Sequence, residues 1–303
     1  MPELSAELRA RIARLAGDRE SGASDVLTET LAILNAARTA GEPVRAAVRA
    51  LCRAQPSMAS VWNAGIEAIA SENEAARFDR FAYRVARSRD ALARFARECF
   101  SLESAAGPVP RSVGGPLSLV TLSFSRSVLA VVDAVRQLRA IRVSCSEGRP
   151  ALEGRRLASE IASLGVPVMC YGDTAISHAL AAADAVLVGT DAITPDWFLN
   201  KCGTRMLAAA ALQKGIPVYV AATRDKFVSQ TVGSRLVIRD GSPKEIWEAP
   251  PPGVDVRNPY FEPTPLDLVT TIISDFGLLG AGMVPEVCES IHDAEALRAL
   301  DDS

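Results

Sequence analysis

Apolar residues in the first hundred positions recur at the spacing of one helical face. Leu4, Leu8, Ile12 and Leu15 make one stripe; Leu27, Leu31 and Leu34, then Val44, Val48 and Leu51, then Phe78, Phe81 and Val85 make others. This stretch is expected to be a helical N-terminal domain, residues 1–105, punctuated by the Gly41-Glu42-Pro43 turn and by Pro56. A Pro/Gly-rich joint, residues 105–116, closes it. From residue 117 the period changes. Apolar runs at 117–122, 141–143, 166–170, 185–188 and 216–221 alternate with helical patterns such as 127–138 and 155–164. Strand and helix in alternation predict an α/β class: a mostly parallel sheet with helices on both faces, a Rossmann-like domain over residues 117–303. No G-x-G-x-x-G follows the first strand, so NAD binding is not indicated and no cofactor is expected.

Composition narrows the function classes. A chain of 303 residues with 49% hydrophobic content buries a full core. Its 33 basic and 36 acidic residues provide no broad positive field, which disfavours direct nucleic-acid binding. Cysteines at 52, 99, 145, 170, 202 and 288 show no C-x-x-C spacing, and no basic start leads into an apolar signal core. The expectation is reduced thiols in a cytoplasmic protein. No run approaches the roughly 18 apolar residues that span a bilayer, so no membrane role is expected. His178 and His292 belong to no triad or metal cluster, and no metal is expected.

The candidate chemistry gathers beyond the predicted strand ends, where open α/β sheets bind ligands. After the 185–188 run come Gly189-Thr190-Asp191, and ten residues further Asn200-Lys201-Cys202-Gly203-Thr204, read as a loop carrying one acid and a helix opening on a basic residue. Ser123, Ser125 and Arg126 stand between the first strand and its helix, whose N-terminal amides favour an anion; either serine is alternatively a helix cap. Asp191 is alternatively a turn cap. Lys201 suits a phosphate as a point charge, with Asn200 supplying an orienting amide. Arg149 and Glu147 follow the second strand, either facing the same crevice or forming a surface ion pair. A phosphorylated small molecule fits this set. Cys145 and Cys170 also stand at strand ends, as a spare thiol or as small buried hydrophobes.

Three motifs carry a resemblance: Gly189-Thr190-Asp191 with Asn200-Lys201-Cys202-Gly203-Thr204 and the Gly215–Ala222 strand; Ser146-Glu147-Gly148-Arg149-Pro150-Ala151-Leu152-Glu153-Gly154; and residues 258–268. The chain resembles the superfamily that joins the alpha, beta and delta subunits of translation initiation factor 2B with methylthioribose-1-phosphate isomerase and ribose-1,5-bisphosphate isomerase. The resemblance implies a phosphorylated sugar or nucleotide between the two domains and a homodimer or larger assembly. It implies that Arg19, Gly22, Ala23 and Ser24 form a loop over the ligand phosphate. Asp191 matches the isomerases' acid, which handles protons at the sugar oxygens. Ser123 stands where those isomerases carry a catalytic cysteine, and Gln55 where they carry a phosphate-clamping arginine, unless Arg53 substitutes. Phe124-Ser125-Arg126 is similar to the Tyr-Ser-Arg of the alpha subunit. The primary expectation is therefore a ligand-binding, alpha-like homologue. The alternative is an aldose–ketose isomerase acting through Asp191 with Lys201. Assembly finds a second argument in the apolar residues Leu268, Ile272 and Ile273 of the 266–279 stretch, read as a helix too apolar to face water.

Overall fold

The computed structural model describes residues 4–18, 21–70, 74–101, 104 and 115–291. Five helices come first: α1 (Ala6–Gly17), α2 (Ala23–Thr39), α3 (Val44–Ala54), α4 (Ala59–Ile69) and α5 (Glu74–Cys99). Each of the first three buries the stripe its sequence carries, as α1 does with Leu8, Ile12 and Leu15 beneath a Ser5 cap. Helix α4 differs, because it is buried almost all round and so carries no stripe. Its Asn63 amide donates to the carbonyls of Asp225 (2.7 Å) and Phe227 (2.9 Å), fastening the helical layer to a loop of the sheet layer. Helix α5 serves both layers. Phe78 and Phe81 pack with the other helices, whereas Leu92, Ala96 and Cys99 pack beneath the sheet. The joint at 105–114 lies outside the described residues.

Strand and helix then alternate through β1 (Leu117–Thr121), α6 (Arg126–Arg136), β2 (Ile141–Ser146), α7 (Glu153–Ser163), β3 (Val168–Tyr171) and β4 (Ala185–Val188). The hairpin β5 (Ala192–Ile193) and β6 (Trp197–Lys201) interrupts them, followed by α8 (Thr204–Gln213), β7 (Val218–Ala222) and α9 (Gln230–Gly233). Last come β8 (Phe261–Pro265), β9 (Thr271–Ser274), β10 (Gly277–Leu279) and α10 (Val284–Ser290). The main sheet has the order β10-β9-β7-β4-β1-β2-β3, parallel except for β10 on β9. Adjacent strand residues face opposite sides: Leu119, Leu187 and Tyr219 join one core, and Val120, Val188 and Val220 the other. The α/β class expected from the alternation is borne out. Strand order reverses between β1 and β4, so the loops after these two strands diverge and leave a crevice at the carboxyl ends.

Two readings of the sequence are corrected here. Residues 191–201 form no simple loop before a helix; β5, β6 and β8 make a second, antiparallel sheet, and Lys201 ends a strand. Thr194 builds the turn, its hydroxyl accepting from the Trp197 amide at 3.1 Å. The 266–279 stretch is likewise no helix. Ile272 and Ile273 sit on opposite faces of β9, each covered by a core of this same chain, so they supply no apolar surface for a partner. Among the described residues, no helix is long and apolar enough to cross a membrane.

Candidate functional site

A cavity of about 260 Å³ opens at the reversal of strand order, below the start of α2. Its walls come from residues 21–24, the β1–α6 turn, the start of α7, the β4–β5 connection and the end of β6, with Met58, Lys226, Tyr260 and Phe261 completing them. Gly22, Ala23, Ser24, Ser123, Ser125, Arg126, Asp191, Asn200 and Lys201 all line it. Arg19 lies outside the described residues. Arg149 is held elsewhere, its Nε 3.0 Å from Glu147 on the surface. Gln55 turns away, donating to the Leu15 carbonyl at 2.6 Å, and Arg53 is exposed outside the cavity wall.

The β1–α6 turn is set by backbone geometry. Ser123 adopts a left-handed conformation, φ 61°, which is uncommon for a residue with a side chain. Its hydroxyl lies 3.3 Å from Glu153 Oε1. Ser125 caps α6, accepting from the Val128 amide at 3.3 Å, and packs so tightly on Gly189 that a Cβ there would overlap its side chain. The cap leaves the first amides of α6 pointing at the cavity, where an anion is favoured. Phe124 carries two guanidinium groups on its ring, Arg126 at 5.5 Å and Arg156 at 4.0 Å from the centroid. Arg126 also approaches Asp25 at 3.5 Å.

Beside this turn stands a buried charge pair. Lys201 Nζ is 2.7 Å from Glu153 Oε1 and 4.3 Å from the centre of the Tyr260 ring. Both side chains are largely buried, at 6% and 19% exposure. The contact lacks hydrogen-bond angles, and Lys201 Nζ and Glu153 Oε2 are buried without a hydrogen-bond partner. Asn200 donates to the Thr204 hydroxyl at 2.9 Å, which spends one amide hydrogen on a side chain of its own turn. Lys226, also buried, donates to the Thr190 carbonyl at 2.6 Å. Asp191 keeps part of its surface on the cavity while protein packs behind it. Burial pushes its carboxyl above the ordinary range, and the Lys226 ammonium pulls only partly back.

Sequence reasoning missed Glu153, Arg156, Lys226 and Tyr260 as site residues. Glu153 and Tyr260 lie inside the motifs already singled out. Neither cysteine replaces the thiol: Cys145 is buried, and burial with its neighbour Cys170 pushes its thiol up to about 12. Neither lines the cavity. Among the described residues, no group of three or more His, Cys, Asp or Glu is placed to hold a metal ion.

Residues 19–281 match the sequence profile of the initiation factor 2 subunit family. The methylthioribose-1-phosphate isomerase of Dehalococcoides mccartyi strain BAV1 is 35% identical over 180 residues, 55% of this chain and 53% of that protein. The chain thus matches about half the length of that relative. The ribose 1,5-bisphosphate isomerase of Archaeoglobus fulgidus is 28% identical over 251 residues, 78% of this chain and 76% of that protein. Among solved structures, translation initiation factor eIF-2B from Pyrococcus horikoshii OT3 superposes with a TM-score of 0.74 at 22% identity, covering 91% of this chain and 98% of that one. The 5-methylthioribose 1-phosphate isomerase of the same organism gives 0.66 at 21% identity, covering 94% and 87%.

Proposed function

From the premise that the chain belongs to the initiation factor 2 subunit family, we propose that its cavity binds a phosphorylated sugar or nucleotide. One observation carries the reading. The Lys201 ammonium is buried against the cavity with unfilled hydrogen-bonding capacity, and a buried charge in that condition is costly unless a ligand completes its shell. Arg126, Arg156 and the α6 amides add donors along the same wall, while a volume of about 260 Å³ favours a sugar phosphate over a larger nucleotide. Thermal-shift titration with sugar phosphates and nucleotides tests this. A sugar phosphate is expected to raise the melting temperature, and Lys201→Ala to weaken binding by about 10- to 100-fold, as for loss of a charge-assisted hydrogen bond. If no compound stabilises the protein, the reading fails.

A second reading, aldose–ketose isomerisation, is favoured by Asp191. A carboxyl biased towards its neutral form gives a phosphate pocket little as a binding group but serves as a proton donor. The relatives named as isomerases support the same direction.

We further propose that the chain self-associates. One relative of the same fold is a tetrameric eIF2B-beta2-delta2 complex from C. thermophilum, and α8 here leaves Met206 and Leu212 exposed at 69% and 57%. Light scattering is expected to give a multiple of 32.1 kDa; the monomer mass would sink the idea.

A further inference from the structure

We propose that Glu153 is the group that moves the carbon-bound proton of a sugar 1-phosphate in this cavity, an inference that rests on the isomerase reading above. Three observations converge on this one carboxylate. It begins α7 directly after Leu152, which is left-handed at φ 61°, a conformation rare for a bulky residue. It is followed by Gly154, where any side chain would strike the Ser146 carbonyl, so the helix start cannot drift. Its Oε1 serves both Ser123 and Lys201, yet its Oε2 is buried with no hydrogen bond. A purely structural buried ion pair is stable when its remaining lone pairs are satisfied; here one oxygen is left over.

The placement supplies what the sequence lacks. Ser123, whose hydroxyl is far too weak an acid to act as a thiolate does, donates to Glu153 Oε1 at 3.3 Å. The Lys201 ammonium stands 2.7 Å from Glu153 Oε1, and both side chains line the cavity. Asp191 lines the same cavity in a setting that favours its neutral form. Two carboxyl groups in one cavity, one against an ammonium and one packed against protein, are an arrangement that can divide base from acid.

The step balances without a co-reactant. Asp191 gives its proton to the ring oxygen as the bond from that oxygen to the phosphorylated carbon breaks. Glu153 takes the proton from the adjacent carbon, and the electron pair of that C–H bond forms a carbon–carbon double bond to the phosphorylated carbon. The adjacent hydroxyl then becomes the ketone, passing its proton to Asp191, while Glu153 returns its proton to the phosphorylated carbon. Both carboxyl groups end as they began, and aldose has become ketose.

Ribose 1,5-bisphosphate and methylthioribose 1-phosphate are the probes, with turnover followed by NMR in D₂O and binding by thermal shift on the same samples. Glu153→Gln, which keeps size and loses basicity, is expected to bind within about tenfold of wild type yet turn over about 10²- to 10⁴-fold more slowly. Glu153→Asp should recover part of the loss. Turnover by Glu153→Gln close to wild type overturns the assignment. A wild-type protein that binds either probe and never converts it also overturns the assignment, while leaving the binding reading intact. If neither these two compounds nor any other sugar phosphate or nucleotide binds, both fall together.

Discussion

Gly154→Ala is expected to cost about 3 kcal/mol or more of stability, at the upper end for overpacking. The Cβ it adds would fall within the van der Waals shell of the Ser146 carbonyl oxygen and stand 2.9 Å from the Glu147 carbonyl carbon, both backbone atoms that cannot swing aside. Relief requires α7 to retreat from β2, and that movement carries Glu153 away from Lys201. Stability and ligand binding should therefore fall together, read as a lower urea midpoint and a lost ligand-induced thermal shift. Gly17→Ala is the matched control, since nothing stands within 4 Å of its added Cβ at the end of α1 and alanine there favours the helix. If Gly154→Ala melts with wild type, the close approach of α7 to β2 is not as described.

Asp191→Asn is expected to act in opposite directions on function and stability. Losing the proton donor should lower any isomerase turnover by about 10²- to 10⁴-fold. The ligand-free protein should nevertheless become more stable above the acid range. Burial raises the Asp191 pKa in the folded state, so its favourable contribution is complete below the ordinary aspartate value and is lost as pH rises through the raised value. Beyond that point the fold carries a desolvated charge that asparagine does not. Asp225 and Asp275 are raised by burial in the same sense, so wild-type melting alone does not isolate Asp191. The difference between wild type and Asp191→Asn does: it should be small at about pH 4 and grow in favour of Asn by about pH 8. A gap that shrinks with rising pH contradicts the burial of this carboxyl.

The main sheet was legible because short parallel strands, covered on both faces, read as unbroken apolar runs separated by amphipathic helices. Helix α4 was not, since burial on all sides erases the stripe by which a helix is recognised. The second sheet was hidden for other reasons. Strand β5 is two residues long, and β8 contains Pro263 and Pro265, which argue against a strand unless it lies at an edge, where β8 lies. Reading 266–279 as a helix followed from counting apolar residues without weighing the Asp275-Phe276 turn, followed by Gly277, between two three- to four-residue strands. At the site, Asp191 was found because it lies just beyond an apolar run, and Lys201 because a lone ammonium follows it at close spacing, though as the start of a helix rather than the end of β6. Glu153 resembles any acidic first-turn residue, and Lys226, beside Arg224 and Asp225, resembles a charged surface turn; only the fold shows that both are largely buried.

The order of strands in the main sheet bears on how the molecule comes to be made. Strand β1, the first to leave a ribosome, needs β4 some 65 residues later as its second neighbour, and β4 in turn waits for β7. The cavity wall draws on Ser21 at one extreme and Phe261 at the other. No early fragment of the chain can complete this cavity, so any ligand bound there would act only as a late lock on a nearly complete fold. Non-local parallel pairing of this kind is slow and leaves unpaired edges exposed meanwhile. The nascent chain passes through that window before the cavity is complete enough to hold a small molecule.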